Sequence, residues 1–139
     1  MKTYKLDFGW EIDLPEEWIH EVGEKGVDMF YPPNDSTTAY ASVFTASRNG
    51  DGEPAPAEIL EDFFVKSLGG LNAEEIPLSV DGLLGCRAFF CVDDKGVYRI
   101  AAGVFTTGNL LSLNVYSENE ETVYKVAEEQ FAKVRFNGG

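Results

Sequence analysis

CRAFFCVDDKGVYRIAAGVFTTGNLLSLNVYS, residues 86–117, is the stretch that decides the fold of this chain. It holds three runs rich in aromatic and β-branched residues, which are typical of β-strands, at 86–92, 97–106 and 109–117. The turn sequences DDKG and TG that join these runs are too short for a crossover connection, so neighbouring strands must be antiparallel. The stretch therefore predicts a three-stranded antiparallel meander.

The last run of the meander alternates between two kinds of side chain. Leu111, Leu113 and Val115 share one face of the predicted strand, whereas Asn114 and Tyr116 lie on the other. The sheet is therefore expected to have one apolar side, against which another layer of the protein packs.

Four further runs with strand character precede the meander. Period-two alternation and turn residues at their ends predict strands at 8–15, 18–22, 27–31 (VDMFY) and 39–47. In the first, Trp10, Ile12 and Leu14 share one face. In the last, Tyr40 and Phe44 share one face. The Gly- and Pro-rich residues 48–56 predict a loop.

Two segments have helical periodicity. Apolar residues recur at three- and four-residue spacing over 56–68, namely Ile59, Leu60, Phe63, Phe64 and Leu68, and a Gly-Gly pair then ends the predicted helix. A closing helix is predicted to begin near 117–119, with Ser117 and Glu120 spaced as a capping box, and its core stripe is Val123, Ala127 and Phe131. The order of elements predicts a single α+β domain over residues 1–139, with an antiparallel β-sheet of about six strands covered by two main helices.

Composition bounds the range of partners. The 139 residues include 11 Lys and Arg against 24 Asp and Glu, a formal net charge of −13. Because such a surface repels phosphate backbones and anionic headgroups, we expect neither nucleic acid nor a membrane as a partner. Residues 1–10 lack the apolar run of a signal peptide, and no run of about 18 apolar residues occurs, so a cytoplasmic location is expected.

Residues with the potential for catalysis or metal binding form no recognisable pattern. His20 is the only histidine and is expected at a surface or strand edge, and Asp51 and Glu53 do not complete a calcium-binding loop. Cys86 and Cys91 are an odd number of residues apart on one strand, so we expect them on opposite faces as buried free thiols. The sequence thus predicts a protein without catalytic residues, metal or cofactor.

FGWEIDLPEEW, residues 8–18, resembles the opening of PsbP-like and DcrB-like domains, in which a strand is followed by a proline and a tryptophan. The order of the remaining elements fits that superfamily along nearly the whole chain, and the resemblance implies its α/β/α sandwich. Known members act mainly as binding or assembly modules, including a photosystem subunit, a release factor for a small GTPase, and the Eag chaperones of type VI secretion effectors. The resemblance therefore implies a binding role, but it transfers no individual binding residue.

The chain has more aromatic side chains than one small core requires, so some are expected at the surface as anchors for a partner protein. The candidates for protein interaction are Trp18, Tyr40, Phe44, Tyr98 and Tyr116. The alternative is that these side chains fill the core.

Three functions follow as hypotheses. The first is a non-enzymatic, acidic, cytoplasmic protein-binding module, an adaptor or chaperone, whose partner is basic or amphipathic; a homodimer is left open. The second is an immunity protein whose charge neutralises a basic toxin. The third is a small-ligand carrier or enzyme with a pocket between helix and sheet, suggested by Arg87, Arg99 and Asn114 on predicted strands.

Overall fold

The computed structural model describes residues 1–48, 53–80, 82 and 85–137. In this part of the chain the strands are β1 (Lys2–Lys5), β2 (Trp10–Leu14), β3 (Ile19–Val22), β4 (Asp28–Tyr31), β5 (Thr38–Thr45), β6 (Ser47–Arg48), β7 (Glu53–Pro54), β8 (Glu74–Ile76), β9 (Gly85–Val92), β10 (Tyr98–Thr106), β11 (Asn109–Ser117) and β12 (Arg135–Phe136). The two α-helices are α1 (Ala57–Ser67) and α2 (Glu120–Glu129). The α+β class is confirmed.

The largest sheet is antiparallel throughout, in the order β3-β4-β5-β11-β10-β9-β8. The predicted meander, β9 to β11, lies within it, and its register pairs Ile100 with both Phe90 and Val115. β5 joins the free side of β11, and the paired residues are between 64 (Thr45 and Asn109) and 78 (Thr38 and Tyr116) positions apart in the chain. The sheet has seven strands rather than about six because Glu74–Ile76, which carried no strand signal, pairs with β9.

One face of this sheet, here called the α2 face, carries the main core. It packs against α2 and against a second, three-stranded sheet in the order β1-β2-β12. The alternation predicted for residues 10–14 is confirmed, because Trp10, Ile12 and Leu14 are fully buried here. The largest of their fully buried neighbours are Phe30, Ile100, Val104, Leu111, Leu113, Val115, Val123 and Phe131.

The opposite face, here called the α1 face, carries a smaller core. Leu60 and Phe64 of α1 are buried against Ala101, Phe105 and Leu110 of the meander. The helix occupies Ala57–Ser67, in agreement with the prediction of 56–68, with Pro56 and Leu68 as its flanking residues. Helices on both faces make the layered arrangement expected from the sequence.

Other boundaries differ from the sequence-based prediction. The first and last strands, β1 and β12, had no clear sequence signal, and both pair with β2. Within the predicted loop, Ser47–Arg48 pairs with Glu53–Pro54 as a short ribbon, and residues 49–52 lie outside the described residues. Short edge strands of this kind are stabilised by long-range pairing rather than by local propensity, which explains why they were missed.

The predicted capping box of α2 is wrong. Asn119 is the N-cap, and its side chain accepts a hydrogen bond from the backbone N–H of Thr122. Ser117 is still paired in β11 and is buried, with its Oγ 3.0 Å from Oγ1 of Thr37. Because β11 continues to Ser117, that side chain faces the interior, and the helix begins too late for it to cap.

Candidate functional site

Helix α1 covers only part of its face of the sheet. It lies over β10 and β11, whereas a neighbouring area of the same face carries half-buried residues that belong to neither core. Cross-strand register brings these residues together, because Asn114 pairs with Tyr40 and Tyr116 pairs with Arg99. We call this area the open surface and define it by Met29, Tyr40, Arg99, Asn114 and Tyr116.

The side chains of the open surface contact one another in a defined geometry. The rings of Tyr40 and Tyr116 meet edge to face, with their centroids 5.8 Å apart. The guanidinium of Arg99 lies over the Tyr116 ring, with Cζ 5.3 Å from its centroid. Asn114 Oδ1 accepts hydrogen bonds from Nε and Nη2 of Arg99, at 3.1 and 2.8 Å. These contacts hold the planar guanidinium in place on the sheet.

Exposed apolar side chains lie beside the open surface. Phe63 of α1 lies next to Phe44 of β5, with ring centroids 6.1 Å apart, and the two are 52% and 44% exposed. Ile59, one turn before Phe63, is 53% exposed. We call these three residues the apolar ridge. Because exposing large apolar side chains to water costs free energy, such a cluster is a candidate contact surface.

The apolar ridge corrects the sequence-based description of α1. Ile59 and Phe63 were assigned to the core stripe of the helix, but only Leu60, Phe64 and the following Leu68 are buried. Five apolar positions form a wider stripe than a helix needs against one sheet. This excess width was the feature of the sequence that could have indicated that part of the stripe is exposed. The sheet contacts one side of the stripe and leaves the other exposed.

Acidic residues flank these surfaces. Glu21 of β3 lies in the same cross-strand row as Met29 and Tyr40, and its carboxylate accepts a hydrogen bond from the Tyr31 hydroxyl at 3.0 Å. That bond raises the pKa of the Tyr31 hydroxyl above its usual range. Asp62, next to Phe63 in α1, is exposed and pairs with Lys66.

A separate ionic cluster joins the far side of α1 to the sheet. Arg87 of β9 donates hydrogen bonds to Glu61 of α1 at 2.8 Å and to both carboxylate oxygens of Glu75 in β8, at 2.6 and 2.7 Å. The two carboxylates raise the pKa of Arg87, and Arg87 lowers the pKa of Glu75. Of the three polar residues suggested as pocket residues, Arg99 and Asn114 therefore converge, and Arg87 is engaged elsewhere.

The structure divides the five predicted interaction residues into two groups. Tyr40, Phe44 and Tyr116 lie together on the α1 face, in the open surface and the apolar ridge. Tyr98 lies on the α2 face, stacked on Phe90 with centroids 6.1 Å apart, and Trp18 is half-buried against that same core. The five residues therefore do not form one surface. Sequence alone assigned a shared face only within a single strand, as for Tyr40 and Phe44.

The two cysteines lie on opposite faces and are free, as predicted. Neither is fully buried, which corrects the expectation of buried thiols. Desolvation on the α2 face raises the pKa of Cys86 to about 11. Cys91 lies on the α1 face opposite Arg99 and lines a cleft of about 270 Å³ together with Leu71, Asn72, Val92, Asp93, Val97, Arg99 and Tyr116.

His20 lies in the edge strand β3, as predicted. Its Nε2 is 2.7 Å from Oδ1 of Asp28, and its ring stacks on Phe30 with centroids 4.7 Å apart. Among the described residues, His, Cys, Asp and Glu side chains form no group of three that could hold a metal ion. Asp51, considered for calcium, lies outside these residues. None of the helices described is both long enough and apolar enough to cross a membrane.

Comparison with known proteins bears on the fold. No protein-family model matches the chain, and no curated protein matches it. The solution structure of cyanobacterial PsbP (CyanoP) from Synechocystis sp. PCC 6803 is similar, with a TM-score of 0.60 and 14% identity, over 97% of this chain and 91% of that one. A crystal structure from Bacteroides thetaiotaomicron VPI-5482 has a TM-score of 0.66 and 13% identity over 93% of this chain, which spans only 45% of that protein. These similarities support the PsbP-like fold that the opening motif implied.

Proposed function

We propose that this domain is a non-enzymatic protein-binding module, an adaptor or chaperone, that receives a basic amphipathic segment of a partner on the open surface and the apolar ridge. The observation that carries the proposal is the continuity of the two areas. Tyr40 and Phe44 lie on the same side of β5, four residues or about 13 Å apart. Tyr116 extends the surface on one side, and Phe63 extends it on the other.

The chemistry of the surface suits an amphipathic partner. Aromatic rings offer large apolar contact areas at low entropic cost, and tyrosine hydroxyls retain polar contacts at the rim. A partner helix with leucine or aromatic residues on one side would bury Phe44 and Phe63, which are both now about half exposed. The free energy gained from this burial provides the affinity.

The charge of the chain favours a basic partner. A net charge of −13 attracts cations over distances longer than direct contact and accelerates their association. Glu21 lies at one margin of the surface and Asp62 beside the ridge at the other. A lysine-rich side of the partner helix would meet these carboxylates while its apolar side covers the rings.

The test compares exposed apolar residues on the two faces of the sheet. In the double variant Phe44→Ser/Phe63→Ser, a synthetic amphipathic helix of leucine and lysine, amidated at its C-terminus, should bind at least about tenfold more weakly than to the unmodified domain. Val22→Ser is the control, because this valine is 66% exposed and its register with Asp28 places it on the α2 face. The control should bind within about twofold of the unmodified domain.

Two further measurements identify the natural partner. A photo-crosslinking amino acid at position 63 should capture a protein through a basic amphipathic segment, whereas the same group at position 22 should not. The affinity should also fall between about 50 mM and about 300 mM NaCl, since screening weakens attraction to an acidic surface. Equal loss of binding in the double variant and in Val22→Ser, or crosslinking only from position 22, would refute the proposal. Crosslinking to a second copy of the chain would assign the surface to a homodimer instead.

A further inference from the structure

Arg99 differs from the other arginines whose side chains are described. Arg87 contacts two carboxylates, Glu61 and Glu75, and Arg135 contacts Glu11 and Asp13. Among the residues whose side chains are described, Arg99 has no carboxylate within 4.0 Å, and its hydrogen-bond acceptor is the neutral amide of Asn114. In a chain with 24 acidic residues, this guanidinium therefore has no intramolecular counterion in that part of the protein.

The hydrogen bonds of Arg99 leave part of the guanidinium able to bind a ligand. A guanidinium carries five N–H groups, and Asn114 accepts one from Nε and one from Nη2. One N–H of Nη1 and the second N–H of Nη2 form the outer edge, which can pair with a carboxylate through two parallel hydrogen bonds. The Tyr116 ring beneath the guanidinium and Asn114 beside it hold this fork in a fixed orientation.

The cleft next to Arg99 is mostly apolar. Its lining includes Leu71, Val92, Val97 and the ring of Tyr116, and its volume is about 270 Å³. This is slightly below the usual range for a drug-sized ligand, and it suits a single apolar side chain. The one carboxylate in the lining, Asp93, accepts hydrogen bonds from the backbone N–H groups of Lys95 and Val97 within the turn.

We infer that Arg99 and this cleft form an anchoring site for a carboxylate joined to an apolar group. The inference deepens the proposed function and rests on it for the kind of partner. A basic amphipathic segment would place one carboxylate on the outer edge of Arg99 and the neighbouring apolar side chain in the cleft. The carboxylate comes either from the free C-terminus of the partner or from an Asp or Glu side chain next to an apolar residue.

The net charge of the protein makes this site selective. The surrounding acidity opposes the approach of a small anion, so a carboxylate binds only where hydrogen bonds and apolar burial both contribute. The positive charges elsewhere on the partner segment offset the repulsion. The site therefore distinguishes a basic segment that ends or bends at Arg99 from an acidic peptide.

The first experiment titrates the intact domain with small probes and follows backbone amide resonances by NMR. N-acetyl-phenylalanine carries a free α-carboxylate, N-acetyl-phenylalaninamide carries none, and N-acetyl-aspartyl-phenylalaninamide carries a side-chain carboxylate. We expect one of the two acids to bind at least about tenfold more tightly than the neutral amide and to shift resonances of β9, β10 and β11. The acid that binds more tightly identifies the source of the carboxylate.

Two variants test the assignment to Arg99. Arg99→Gln should abolish the preference for the acid, whereas Lys95→Gln, which removes the same charge from an exposed turn residue, should leave the affinity within about twofold. The NMR spectrum of each variant reports whether it is folded. Equal binding of acid and amide, equal effects of the two variants, or no shifts with any probe would overturn the inference.

The outcome separates this inference from the proposed function. If the amidated leucine–lysine helix binds and depends on Phe44 and Phe63, but the acid and amide probes bind alike, the protein-binding role stands and the anchoring site is rejected. If the acid binds through Arg99 but the helix does not bind, the protein-binding role is rejected and the cleft is a small-ligand site.

Discussion

The ring of Phe64 in α1 lies directly over Gly103 in β10. A Cβ atom at position 103 would be only 2.8 Å from Cγ of Phe64 and would also contact both Cδ atoms, at 2.9 and 3.0 Å. The helix therefore packs on the sheet at a point where the strand has no side chain. This close contact determines where α1 lies over the sheet, and the open surface is the area that it leaves uncovered.

Gly103→Ala should destabilise the domain by about 1–3 kcal/mol, because the added methyl group requires Phe64 or the whole helix to move. Chemical denaturation followed by circular dichroism measures the change in the free energy of unfolding. Combining Gly103→Ala with Phe64→Leu tests the cause, since a smaller side chain makes room for the methyl group. The double variant should be more stable than the sum of the single effects predicts, and strict additivity would contradict the packing explanation.

Asn119→Ala should reduce stability by about 1 kcal/mol, because it removes the side-chain acceptor for the Thr122 N–H at the start of α2. Asn119→Asp retains the acceptor and adds a negative charge at the helix N-terminus, so it should be neutral or stabilising. Glu120→Ala should cost less than Asn119→Ala, because Glu120 belongs to no capping box and contributes only its charge at the helix N-terminus. Thermal unfolding of the three variants checks this order, and a larger loss for Glu120→Ala than for Asn119→Ala would contradict it.

Arg135→Gln should remove about 1 kcal/mol at neutral pH, because Arg135 bridges Asp13 and Glu11 between β12 and β2. Hydrogen bonds from Arg135 and Thr3 lower the pKa of Asp13 to about 2 from its ordinary 3.8. Because the pKa of Asp13 is lower in the folded state, its carboxylate stabilises the fold at pH values above its ordinary pKa. This stabilisation is lost as the pH falls through about 2. The difference in stability between the unmodified domain and the variant should therefore shrink between about pH 4 and pH 2.

The control for this measurement is Lys133→Gln, which removes one positive charge from an exposed residue near Arg135. It should change the free energy of unfolding by less than about 0.5 kcal/mol at any pH. A difference for Arg135→Gln that persists undiminished at pH 2 would rule out the Asp13 pair as its source.

Cys91 should react with a thiol reagent before Cys86 does. With a pKa of about 11, only roughly 0.1% of Cys86 is the reactive thiolate at pH 8, whereas Cys91 lines the open cleft. Mass spectrometry after brief labelling should find the label on Cys91, and Cys91→Ser should remove the fast phase. Labelling in denaturant should modify both residues equally. Fast labelling that survives in Cys91→Ser would contradict this assignment.

Local sequence patterns predicted the elements that are long and regular. The alternation of residues 109–117 predicted the two faces of β11, and the recurrence of apolar residues over 56–68 predicted helix α1. The order of these elements also indicated a PsbP-like fold, which similarity to solved structures supports. Such patterns are readable because each residue's face depends on neighbours only two to four positions away.

The same patterns failed where a distant partner decides the outcome. Ile59 and Phe63 are as apolar as Leu60 and Phe64, yet they are exposed because the sheet contacts only one side of the helix. Ser117 has the spacing of a cap, yet its Oγ faces Thr37, which lies 80 residues earlier in the chain. The candidate site was predictable only in part for the same reason, since Tyr40 and Tyr116 meet through the pairing of β5 with β11.

The sequence by itself determined the α+β class, the antiparallel meander, the two helices and the acidity of the surface, because periodicity, turn residues and charge are properties of short stretches. Only the tertiary structure decided which part of the α1 face the helix leaves uncovered and that Tyr98 lies apart from Tyr116. It also decided that Arg87 pairs with carboxylates, whereas Arg99 pairs with an amide. These outcomes depend on contacts between residues far apart in the chain, and no local pattern encodes such contacts.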